Sequence, residues 1–180
     1  LFSAMLVSKD RSDSLMLRLM TSPMTASDFV LGFTLPLLPI AIIQIFIVFI
    51  ASIPLGLRLT ASVLISVTTL IPAAVLFIGI GLLFGTILSE KQVGGICGAL
   101  MTNLCAWLSG IWFDVSAVGK WFETIAKALP FIHAVDAARA AASGDYSAVM
   151  PDLIWVIIYA VVVSVAAIWL FSHKIKSKNI

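Results

Sequence analysis

Four apolar runs of bilayer length constrain this chain more than any single motif. They fall at residues 29–53, 61–83, 93–113 and 153–171, with short polar segments between them. A hydrocarbon core about 30 Å thick, crossed by a helix rising about 1.5 Å per residue, takes about 20 residues. In lipid the backbone N–H and C=O groups must be satisfied without water, and for runs of this kind that means helix. Composition agrees: 61% of the 180 residues are hydrophobic and 11% are charged, against about 45–50% and about 25% in soluble domains. Mean hydropathy is +1.14. The expected fold is all-α: a polytopic helical membrane protein with four complete transmembrane helices. The net charge of +2 is spread over basic residues at span ends, so the lipid bilayer is the expected partner and nucleic acid is not.

Residues 1–7 are apolar but too short to cross a bilayer, and read as the end of a truncated span belonging to a longer chain. Residues 8–27 form a polar connector with Lys9, Arg11 and Arg18. Inside it, Asp13 to Met20 fits a short amphipathic helix with Leu15, Met16 and Leu19 on one side, Ser12 as its N-cap and Pro23 as its stop. Such a segment is either a solvated connector or a docking helix that offers Leu and Met knobs to a cytoplasmic partner.

The first complete span contains Pro36 and Pro39 and, near its middle, Gln44, whose amide needs a neighbouring helix or a water-filled path. The second carries a stripe of small residues through Ser66 and Thr69, is interrupted by Pro72, and ends in Gly81 and Gly85, a G-x-x-x-G spacing that lets backbones approach closely. In the third, Gly94, Gly98, Thr102, Cys105 and Ser109 recur on one face, and Asn103 adds a hydrogen-bonding group. Close helix packing is the expected role of these glycines, and Cys97 and Cys105 are expected to be free thiols. Gln44, Thr69, Thr102 and Asn103 are the candidates for lining a pathway.

Residues 114–150, before the last span, are neither apolar enough to cross a membrane nor polar enough for a plain loop. Val118, Trp121, Phe122, Ile125, Ala126 and Leu129 recur at helical spacing, while Lys120, Glu123 and Lys127 take other faces. Pro130 punctuates, and an Ala-rich helix follows until Gly144 stops it. Asp136 and Arg139 stand three apart, close enough to pair on one helix face. With four spans, seven of the eleven basic residues fall on the side of the 8–27 connector and the 172–180 tail. That side is then cytoplasmic, and residues 114–150 are extracellular. The absence of a charged residue near mid-membrane argues against a proton or ion relay. His133 and His173 are far apart and stand in no metal-ligand spacing, so neither a metal site nor a catalytic set is expected.

The order of these parts resembles the permease subunits of ABC-2 type (type-2 ATP-binding-cassette) transporters. LMLRLMTSPMTASDFVLGF is similar to that family's cytoplasmic loop and entry into the next span. LSGIWFDVSAVGKWFETIAKALPFIHAVDAARAAASGD is similar to its amphipathic segment, with Leu129-Pro130 and Asp136-Ala137-Ala138-Arg139 matching the L-P and D-A-x-R run. Asp114 and Val115 stand where the family commonly has a proline. The resemblance implies an exporter permease working as a homo- or heterodimer with a cytoplasmic ATP-binding-cassette ATPase subunit, in a cell membrane, as in a bacterial plasma membrane. Asp13, Leu15, Met16, Arg18 and Leu19 would form its coupling helix. Trp121, Phe122, Leu129, Pro130, Asp136 and Arg139 would belong to amphipathic re-entrant extracellular helices that act as a gate. The chain has no G-x-x-x-x-G-K-S/T phosphate loop, so ATP and magnesium would be held by the partner ATPase. The chain itself carries no cofactor and is not an enzyme. A drug, a lipid-linked molecule or another amphipathic cargo fits the apolar spans better than a small ion. The alternatives are a non-transporting membrane scaffold or assembly factor, and a secondary transporter, which would call for midspan ionisable residues.

Overall fold

A capping box opens the first long helix. The Thr25 hydroxyl and N–H both donate to the Asp28 carboxylate at 2.7 and 2.9 Å, and the Asp28 N–H donates back to Thr25 Oγ1 at 3.2 Å, which satisfies donors that a helix start otherwise leaves orphaned. The structure, a computed structural model, describes residues 1–12, 25–57 and 60–178. Among them the chain runs through α1 (Phe2–Ser12), α2 (Ala26–Ser52), α3 (Ala61–Ile87), α4 (Glu90–Val93), a π-helical stretch (Gly94–Met101), α5 (Thr102–Leu108), α6 (Val115–Val118), α7 (Lys120–Ala128), α8 (Pro130–Ser143) and α9 (Tyr146–Lys178). Every regular element among the described residues is helical.

Among the described residues, three helices are long and apolar enough to cross a membrane: Ala26–Ser52, Ala61–Ile87 and Tyr146–His173. The run at 93–113 is segmented instead. After α4 the helix widens into the π stretch, where the Thr102 hydroxyl donates to the Cys97 carbonyl five residues back, at 3.1 Å. α5 then ends at Leu108, and Gly110 turns the chain with φ +67°, a left-handed conformation that costs glycine little.

The described residues of 1–38, 75–102 and 160–178 pack as one unit. Its core joins Val7 of α1, Phe29, Val30 and Leu37 of α2, Ile78 and Leu82 of α3, and Ala167 and Phe171 of α9. Phe29 and Phe171 stack with ring centroids 3.5 Å apart. Between helices in lipid the driving force is van der Waals packing, because lipid tails are as apolar as leucine. Close approach therefore matters, and α3 achieves it against α1 through two missing side chains. A Cβ on Gly85 would stand 2.6 Å from the Ala4 carbonyl oxygen, and one on Gly81 would collide with the Ser3 hydroxyl. On another side α1 meets Val93 and Cys97 through Ala4.

The described residues of 39–74 and 103–159 form the second unit. Here α6, α7 and α8 follow one another through tight joints. Asp114 caps α6 by accepting from the Ser116 N–H at 2.9 Å, and Pro130 opens α8 at a position where its missing N–H costs nothing. Gly144 closes α8 with φ +85°, its N–H reaching the carbonyls of Ala140 and Ala141. The Ser62 and Tyr146 hydroxyls share a hydrogen bond at 3.2 Å, tying the start of α3 to the start of α9.

Candidate functional site

Polar chemistry concentrates where α7 and α8 fold against the first turns of α9. His133, on α8, is half-buried and held from two directions. Its Nδ1 lies 2.6 Å from Asp152 Oδ1 on α9, and its Nε2 lies 2.9 Å from the carbonyl oxygen of Lys127 at the end of α7. The imidazole also stacks nearly parallel on Trp155, centroids 5.5 Å apart. One turn further along α9, the Tyr159 hydroxyl donates to the Ala128 carbonyl at 2.6 Å. The last carbonyls of α7, which a helix end leaves without partners, are thus taken up by side chains from α8 and α9.

Asp136 and Arg139 lie on the same helix as His133. Their closest atoms are 3.8 Å apart, and both side chains are about half exposed. An exposed pair of this kind contributes about 0–1 kcal/mol. Arg139 also donates to the carbonyl of Gly110 at 3.3 Å, so the guanidinium bridges α8 to the turn after α5. Partial burial, and then the charge of Asp152, raise the Asp136 carboxyl above its ordinary value, against the opposing pull of Arg139 and His133. Burial outweighs the ion pair because the pair is long. Between this helix and the 110–115 turn lies an open cleft of about 450 Å³, lined on one side by Ile132, Asp136 and Arg139. At its rim the Ser116 hydroxyl and N–H hold the Asp114 carboxyl below its ordinary value. On α7, Glu123 bonds Lys127 at 2.6 Å and raises the ammonium.

The other residues singled out in the sequence fall in different places. Trp121 is 87% exposed on α7, Phe122 is half-buried with its ring 6.0 Å from Phe113, and Leu129 and Pro130 form the α7–α8 joint. Thr69 is buried, its hydroxyl turned back to the Ser66 carbonyl at 2.8 Å, whereas Gln44, Thr102 and Asn103 are exposed. Gly81 and Gly85 seat α1, Gly98 stands in ordinary contact distance of Leu1, and a Cβ at Gly94 would meet nothing within 4 Å. Both cysteines are free. Asp13, Leu15, Met16, Arg18 and Leu19 lie outside the described residues.

Two ties were not read from the sequence. One is His133 with Asp152, 19 residues apart across the Gly144 turn. The other is Arg11, whose guanidinium bonds the carbonyl oxygens of Thr86 and, at 2.8 Å, Leu88. It supplies positive charge where the C-terminal end of α3 presents its unpaired carbonyls. The clue available was a basic residue at the end of an apolar helix, which without a partner's position says nothing about what it caps.

The sequence matches the family model described as ABC-2 type transporter over residues 1–142. No curated protein and no solved structure matches it. The match covers most of the chain, and together with three membrane-length helices it defines the class: the protein belongs to the ABC-2 type transporter family. It is a multi-pass membrane protein and a permease component of ATP-binding-cassette transport.

Proposed function

We propose that this chain is the membrane subunit of an exporter driven by a separate cytoplasmic ATP-binding-cassette ATPase, and that two permease subunits together enclose the pathway. The observation that carries the reading is the family match over residues 1–142. ATP and magnesium are then held by the partner. The exposure of Gln44, with open space at Gly94, supports a second copy: an amide facing lipid is costly, and small residues let another helix approach. The segment at 13–20 is the coupling helix on the cytoplasmic side. The segmented 93–113 run counts as the fourth span, and residues 114–150 form the extracellular gate, re-entering the edge of the membrane. The cargo is amphipathic or apolar, such as a drug or lipid-linked molecule, and the membrane is a bacterial plasma membrane.

The orientation and the gate assignment are tested together by labelling single cysteines in a Cys97→Ala, Cys105→Ala background with a membrane-impermeant maleimide. Trp121→Cys is expected to react in intact cells, and Leu15→Cys only after the membrane is opened. The reverse pattern would overturn the inward coupling helix, and with it the drive from a cytoplasmic ATPase.

A further inference from the structure

We infer that His133 and Asp152 form a proton-loaded latch that ties α7, α8 and α9 together and loosens as the pH rises. The inference comes from counting protons at the site. His133 Nε2 faces a backbone carbonyl, which can only accept, so this nitrogen must carry a hydrogen. Nδ1 faces a carboxylate oxygen at 2.6 Å, and an ionised carboxylate also only accepts. A neutral imidazole has one N–H and cannot serve both. Both bonds exist together only while the pair holds one proton more than a neutral ring and a carboxylate supply, and beside the Trp155 face the latch holds it as imidazolium against carboxylate. When that proton leaves to water, one of the two bonds goes with it. The ring either keeps α7 and releases α9, or keeps α9 and releases α7.

The surroundings fit the loaded state. Trp155 presents its face to the ring, an arrangement that favours a cation. On α8, Asp136 and Arg139 stand on the same side of the cluster with opposite charges. On α7, the Lys127 ammonium is turned to Glu123, and on α9 Tyr159 is spent on the Ala128 carbonyl. Burial lifts the Asp136 carboxyl, so that neighbour too tends toward its protonated form on acidification. Closing the latch takes up a proton, so the closed arrangement is favoured at lower pH and lost as the pH rises. That this closes the extracellular gate rests on the permease reading above; the proton count does not.

The test uses the full permease in nanodiscs, His173→Gln, with 15N-labelled histidine, so that one ring reports. Both ring nitrogens are expected to carry hydrogen on the acidic side and one on the alkaline side. Over the same range, hydrogen exchange of residues 120–143, corrected for intrinsic rate, is expected to speed up roughly fivefold to tenfold, the scale of one lost hydrogen bond. Asp152→Asn decides the mechanism, because an amide can donate to Nδ1 while Nε2–H serves Lys127. It should stay closed at every pH, since the same amide, turned over, accepts from Nδ1–H when the ring is protonated. One ring hydrogen throughout in the parent protein, or Asp152→Asn that opens with pH as the parent does, would overturn the latch. The ring measurement on the parent stands even if that variant fails to fold. Because none of these readouts involves transport, they fail or hold independently of the exporter assignment.

Discussion

Replacing Gly85 with Ala sets close packing against helix propensity in a single methyl group. The added Cβ would stand 2.6 Å from the Ala4 carbonyl oxygen, 2.8 Å from Val7 Cβ and 3.1 Å from Ala4 Cα. Two of these are backbone atoms of α1 and the third is a branch point fixed to that backbone, so none can swing aside. Relief requires α1 to back away from α3, which loosens Ala4 and Val7, both fully buried. Overpacking of this kind costs about 1–3 kcal/mol, while Ala gains about 0.8–1.0 kcal/mol over Gly in a helix. The net loss is about 0–2 kcal/mol. Gly32→Ala on α2 is the control, because its Cβ would meet nothing within 4 Å and only the propensity gain remains. At about 2–4 °C per kcal/mol for a chain of this size, the apparent melting temperature in detergent should fall by up to about 8 °C for Gly85→Ala and rise by up to about 4 °C for Gly32→Ala. Gly81→Ala should fall between them and be eased by Ser3→Ala, since its nearest obstacle is a hydroxyl that can rotate. A Gly85→Ala protein that melts at or above Gly32→Ala would refute the close seating of α1.

Substitutions at two other positions probe the polar ties. Arg11→Ala leaves the carbonyls of Thr86 and Leu88 without their charged donor and should cost about 1.5–3 kcal/mol in a thermal melt; Arg11→Lys should recover only part, since a compact ammonium lacks the fork that spans two acceptors. Asp136→Asn addresses pH. Burial raises the Asp136 carboxyl, so the folded protein holds that proton more tightly than the unfolded chain, and the ionised form weighs against folding at neutral pH. The variant should melt slightly above the parent at about pH 7, with the gap closing toward about pH 4; a gap that widens on acidification would contradict this.

The apolar runs and the amphipathic L-P and D-A-x-R segment sufficed to read a helical membrane protein and its family. The G-x-x-x-G pair identified a close-packing surface but not its partner. That partner, α1, reads from sequence as a short, largely apolar segment with a polar tail. The π widening at Gly94–Met101 was not legible, because a glycine-rich run is compatible with several helical windings and packing decides among them. Nor was the pairing of His133 with Asp152, which requires knowing that the chain folds back at Gly144 so that α8 and α9 lie side by side. His133 alone reads as a polar group on an Ala-rich helix. Gln44, which asks for a partner in lipid, is exposed on the single chain, and what covers it is not encoded near it.

The account turns most directly on whether the 13–20 segment docks on an ATPase. Cysteines at Leu15, Met16 and Arg18, in full-length protein with Cys97→Ala and Cys105→Ala, would be paired with one cysteine in the docking groove of the co-expressed ATPase subunit. A disulfide cross-link whose yield changes with nucleotide is the predicted result, and it would establish the coupling helix, its inward orientation and the exporter class together. No cross-link at any of the three positions, in inserted protein with the ATPase demonstrably present, would contradict the central claim and favour a membrane scaffold.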